Sequence, residues 1–92
     1  MRHDELIPVK DFCLHHNIEY SFIDSLHNSG LISITSVRKA VYIHPDEIHK
    51  LEKFIRLRYD LDINIEGIET INYLLERMEQ MQRELVSLRN RL

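Results

Sequence analysis

The C-terminal stretch Ile71-Asn72-Tyr73-Leu74-Leu75-Glu76-Arg77-Met78-Glu79-Gln80-Met81-Gln82-Arg83-Glu84-Leu85-Val86-Ser87-Leu88-Arg89-Asn90-Arg91-Leu92 decides the architecture. Steps of three and four from Ile71 reach Leu74, Met78, Met81, Leu85, Leu88 and Leu92. Written as heptads, Ile71, Met78, Leu85 and Leu92 are a positions, and Leu74, Met81 and Leu88 are d positions. No glycine or proline interrupts the run, and strong helix formers fill most of it. At 1.5 Å per residue the stretch makes a rod of roughly 33 Å. A stripe this narrow buries itself against one other helix, most economically a copy of itself, so these seven residues are the expected dimerisation seam.

Ahead of the rod stands a small body. A chain of 92 residues leaves it near the size at which a lone core is marginal, and pairing through the rod would relieve that. We place a head at residues 1–62 and the dimerising helix at 63–92. Working back from the rod, Leu61-Asp62-Ile63-Asn64 breaks the preceding helix, with Asp62 or Asn64 available to cap the last one. Gly67 falls in its opening turns, where it costs little and permits close packing. Ile68 and Leu75, both e positions, widen the seam toward the head.

His44-Pro45-Asp46-Glu47 starts the third helix, with proline in its first turn and two acids at its positive end. Ile48, Leu51, Phe54, Ile55 and Tyr59 line its buried side. Before it, Leu31 to Thr35 and Ala40 to Ile43 alternate with period two, giving a hairpin whose connection is Thr35 to Lys39. Further back, Val9, Phe12, Cys13 and His16 share one face of a short helix that opens near Pro8 and ends at Asn17. A second short helix, near Glu19 to Asn28, turns Phe22, Ile23 and Leu26 inward and stops at Ser29-Gly30. Leu6 and Ile7 are placed to pack or to add a short strand, and Met1 to Leu6 otherwise frays. The fold class is thus mainly α: a helix-turn-helix with a two-stranded wing, then a long C-terminal coiled-coil helix.

Composition and spacing narrow the function. The single cysteine, Cys13, excludes an intramolecular disulfide, and no basic-then-apolar leader or membrane-length apolar run occurs, so the expected location is cytoplasmic, with no membrane partner. No Gly-rich phosphate loop or nucleophile–base pairing supports catalysis, and no cofactor is expected. His15 and His16 are adjacent, and His44 and His49 are five apart. Neither spacing puts two imidazoles on one helix face, so no metal site is expected.

The order of elements resembles the MerR-type winged helix with a dimerisation coiled coil, over nearly the whole chain. Aligned on Gly30-Leu31, the recognition-helix arginine of that family falls on Asp24, and its polar and basic contact positions on Glu19 and Ser21. The wing is reduced to Arg38-Lys39-Ala40-Val41-Tyr42. A narrower resemblance rests on Phe12-Cys13-Leu14-His15 followed by His16-Asn17-Ile18, on Arg56-Leu57-Arg58-Tyr59-Asp60-Leu61, and on Gly67-Ile68. Together these look like the CbpM family of chaperone modulators, which use the MerR-like scaffold. That resemblance implies a dimeric adaptor that binds the J domain of a DnaJ-like (CbpA-type) co-chaperone and inhibits its stimulation of the DnaK Hsp70. The MerR resemblance also implies that the long helices pair antiparallel.

Charge discriminates between the adaptor and its alternative, a MerR-like DNA-binding transcriptional regulator. Glu19 to Asn28 contains two acids and no lysine or arginine, whereas DNA binding draws on cation–phosphate contacts and on Arg or Lys at guanine. That disfavours DNA binding. An acidic, partly aromatic helix suits a basic protein face instead, and J domains present one on the helix before their His-Pro-Asp loop. Asp11, Glu19 and Asp24, with Tyr20 and His27 as anchors, are the candidate partner-binding residues. The bland reading, that these acids only keep an exposed helix soluble, stands beside it. His44-Pro45-Asp46 is itself the J-domain tripeptide, but here it follows a strand pattern and opens a helix.

Overall fold

The computed structural model describes residues 5–92. In chain order it has β1 (Ile7–Pro8), α1 (Val9–His16), α2 (Tyr20–Asn28), β2 (Thr35–Val37), β3 (Ala40–Ile43) and α3 (Pro45–Ile55). A π-helical turn (Arg56–Asp60) and α4 (Ile65–Asn90) complete it. The expected fraying of Met1 to Leu6 falls, for residues 1–4, outside the described residues; Leu6 is half-buried.

Both short helices end as their residues dictate. Asn17 adopts φ 55° after α1, and the Ile18 amide donates to the Cys13 carbonyl at 3.0 Å. After α2, Gly30 stands at φ 78°, a backbone state that glycine enters without steric cost. There the Leu31 amide donates to the Leu26 carbonyl at 2.9 Å, and that of Gly30 to His27 at 3.0 Å. This is a Schellman end, and its customary apolar contact is supplied by buried Leu26 and Leu31. Pro8, expected to open α1, instead precedes it in extended conformation, pairing with Tyr42.

The sheet has three strands in the order β1-β3-β2, all antiparallel, so the hairpin gains a third strand from Ile7-Pro8. Its first hairpin strand lies later than the alternation implies. Leu31 and Ile32 are both buried, plugging the core side by side, and the strand begins only at Thr35. The Ser33 amide donates to the Glu47 carboxylate at 2.7 Å, which ties this plug to the start of α3. The connection is therefore not Thr35 to Lys39 but Arg38-Lys39 alone, with Val37 paired to Ala40.

α3 begins with His44 in extended conformation and Pro45 as its first residue, as its sequence requires. Leu51 and Phe54 are fully buried, and Ile48 and Ile55 pack against the core at its margin. Tyr59 departs from the buried stripe and is 43% exposed. The physical reason is the π turn, which takes more residues per turn than an α-helix and so breaks the spacing that would have carried Tyr59 inward. The chain then reverses through Asp62 at φ 55°, and the Asn64 side chain caps α4 by accepting from the Gly67 amide at 2.8 Å.

One core joins these parts. Val9, Phe12 and Cys13 of α1 meet Phe22, Ile23 and Leu26 of α2, Ile43 of β3, Leu51 and Phe54 of α3, and Ile68 of α4. Each such side chain contributes about 1.5–3 kcal/mol by leaving water. Ile68 is the last fully buried residue; from Tyr73 onward every residue of α4 is exposed. Among the described residues, no helix is long and apolar enough to cross a membrane.

Candidate functional site

The outward face of α2 is set by the burial of its opposite side. Phe22, Ile23 and Leu26 anchor the helix, so Tyr20, Asp24 and His27, spaced four and three apart, fall together on its solvent stripe. Tyr20 is 51% exposed despite its size. Asp24 accepts from the Asn28 side-chain amide at 3.5 Å, a long hydrogen bond that leaves the carboxylate open to solvent. The helix carries no lysine or arginine.

Glu19 precedes α2 in extended conformation, and its side chain makes no cap hydrogen bond. Its amide is instead satisfied from far along the chain, donating to the Tyr59 hydroxyl at 3.1 Å. The Tyr59 ring also meets Phe22 edge-on, with centroids 5.5 Å apart. Tyr59 thus positions the start of α2, a role that its expected burial concealed. The signal available in the sequence was its place inside Arg56-Leu57-Arg58-Tyr59-Asp60-Leu61, a stretch singled out for other reasons.

Four of the five candidate residues therefore gather along α2: Glu19, Tyr20, Asp24 and His27. Asp11 does not join them. It lines a separate groove of about 300 Å³ between α1 and α3, with Ile7, Phe12, His15, His16 and Ile48. There His16 stacks on Phe12 at 4.1 Å between centroids, and His15 meets His16 edge-on at 5.0 Å.

Beside Glu19 runs an open polar groove of about 600 Å³, between α2 and the segment from Arg58 to Glu66. Ser21, Ser25 and Asn28 form one wall, and Asp62, Asn64 and Glu66 lie opposite. Its one guanidinium, on Arg58, is 2.8 Å from Asp62. Negative charge thus prevails from Glu19 through this groove, whereas the bases of the wing sit at its tip, Arg38 and Lys39, both exposed. Cys13 lies inside α1's buried face, and burial pushes its thiol above the ordinary value of 9.0.

The expected dimerisation residues form a continuous stripe on α4. Leu74, Met78, Met81, Leu85 and Leu88 are 49–63% exposed, Leu92 is fully exposed, and only Ile71 is half-buried.

From residue 7 to residue 90, the sequence matches a family model described as MerR HTH family regulatory protein. No curated protein and no solved structure matches it.

Proposed function

The chain belongs to the MerR HTH family of regulatory proteins, and we propose that it acts as a chaperone modulator rather than as a reader of DNA. In this reading α2 binds the J domain of a DnaJ-like, CbpA-type co-chaperone and hides the basic face that would otherwise dock on Hsp70. The observation that carries it is the chemistry of α2: Tyr20, Asp24 and His27 exposed on one stripe, Glu19 at its start, and no lysine or arginine anywhere along it. Phosphate would be repelled by that surface, whereas a lysine-rich helix would be attracted and oriented by it. The half-exposed Tyr20 ring supplies the aromatic anchor that such interfaces use.

The alternative, a DNA-binding regulator, is favoured by the scaffold and by the Arg38-Lys39 wing tip. Titration of the labelled chain with a purified CbpA-type J domain, beside a mixed duplex DNA pool at physiological salt, separates the two. The modulator reading expects saturable J-domain binding and only weak, salt-sensitive DNA binding. Asp24→Arg should weaken J-domain binding at least tenfold while leaving the fold intact. Tight DNA binding with no J-domain signal would overturn the reading.

A further inference from the structure

The polar groove beside α2 combines acids with acceptors, an open aromatic ring and two exposed apolar banks. Among the described residues, neither Glu19 nor Glu66 is paired with a base, and the Arg58 guanidinium of the groove is already held by Asp62. Ser21 and Ser25, four apart on α2, add hydroxyl acceptors to one wall. Asn28 donates from its amide nitrogen to Asp24, which leaves its carbonyl oxygen to accept. Tyr59 lines the groove with its hydroxyl engaged by the Glu19 amide, yet 43% of the residue is exposed. On one bank Tyr20, between Glu19 and Ser21 in the chain, is 51% exposed. On the other Leu61, next to Asp62, is 64% exposed.

Each feature removes an occupant. Phosphates would meet unpaired carboxylates. No group among the described residues is arranged to hold a metal ion, and a small cation would leave Tyr20 and Leu61 uncovered. A wholly apolar helix would bury Glu19 and Glu66 without partners. All are satisfied by a helix that is basic along one line and apolar along the next. We propose that a basic amphipathic helix of the partner lies along this groove, with a cationic side chain among Glu19, Glu66 and the Tyr59 ring. A charge there gains both the carboxylates and the face of the aromatic ring. The identity of that helix, as the basic helix of a J domain, rests on the co-chaperone reading above. Residues of the connection from α3 to α4, outside the candidate set, then share the docking. The outer stripe of α2 becomes one bank of the site rather than the whole of it.

Substitutions in the far wall test the seat, read as dissociation constants for a purified CbpA-type J domain. Glu66→Lys should weaken binding by about tenfold, and Glu66→Gln and Leu61→Ser by about threefold each. Both side chains are exposed, so none of these changes opens the core. Asp11→Lys makes the same change of charge in the separate groove between α1 and α3, and should cost less than about twofold. A loss from Glu66→Lys no larger than that from Asp11→Lys would follow net charge alone and overturn the proposal. If Asp24→Arg weakens binding while the Glu66 and Leu61 variants do not, α2 docks the partner and the groove does not. A native chain that binds no J domain removes the reading and the seat together. Rescue gives a second readout, one that a merely destabilised chain would not produce. Among J domains with each base of the basic helix replaced by glutamate in turn, one should bind Glu66→Lys about fivefold more tightly than the unaltered J domain does. Uniform loss across that series would reject the cation at Glu66.

Discussion

Gly67 owes its place to the residue four before it. A Cβ there would stand 2.6 Å from the Ile63 Cγ2 methyl and 3.2 Å from the Asn64 Oδ1 that caps the helix. The methyl belongs to a β-branched side chain with little rotamer freedom, and Ile63 itself packs against the core. Helix propensity alone would favour alanine by about 1 kcal/mol. The clash outweighs it, so Gly67→Ala should lower stability by about 1–2 kcal/mol, read from the midpoint of urea unfolding. The sequence showed that this glycine permits close packing, and it offered Asn64 as one of two caps, beside Asp62. What closes on Gly67 was not legible, because it depends on the reversal at Asp62. Tyr59 was misplaced for a related reason: its spacing from Leu51 and Ile55 fits a regular helix, and the π turn intervenes.

At the scale of elements, the wing shows where pattern and structure part. Alternation from Leu31 to Thr35 reads as a strand, yet the Schellman end of α2 turns Leu31 into the core, and Ile32 follows it. Strand pairing waits until Thr35, where Tyr42 is available opposite. The result is a two-residue turn in which Arg38 and Lys39 stand at φ 51° and 71°. Such turns favour Asn-Gly, because side chains with a Cβ carry a cost of roughly 1–2 kcal/mol per residue in the left-handed region. Replacing Arg38-Lys39 by Asn-Gly should therefore stabilise the protein by about 1 kcal/mol, visible as a higher unfolding midpoint in urea. The same variant removes both bases of the wing tip. If DNA affinity resides there it should vanish, while J-domain binding through α2 should persist.

For the molecule as a whole, the order helix, turn, helix, hairpin, helix, long helix was legible throughout, because each boundary carries its own punctuation: Asn17, Gly30, Pro45 and Asn64. The third strand was open in the sequence only as one of two roles for Leu6 and Ile7, since two residues carry no period. The site was less legible than the fold. Asp11 entered the candidate set by its charge, but only tertiary packing shows that it faces a different groove from Glu19. If α4 pairs through its exposed seam, a small head sharing one core with the start of that rod makes folding and association a single event. The melting temperature should accordingly rise with protein concentration, by roughly 5 °C for each tenfold increase, as differential scanning calorimetry would register. A melting temperature independent of concentration would mean that the head stands alone.

The bond from the Glu19 amide to the Tyr59 hydroxyl joins residues 40 positions apart. The C-terminal ends of α1 and α2, by contrast, are closed by local bonds reaching back a few residues. Those ends can form within the first third of the chain as it leaves a ribosome, but the Glu19 amide at the start of α2 lacks this partner until the turn that carries Tyr59 has been made. The candidate docking helix is therefore completed late in synthesis, and a nascent chain shorter than Tyr59 would present Glu19 without this tether. Partner recognition is in this sense deferred by the covalent order of the polypeptide, with a single phenol marking the moment at which the surface becomes whole.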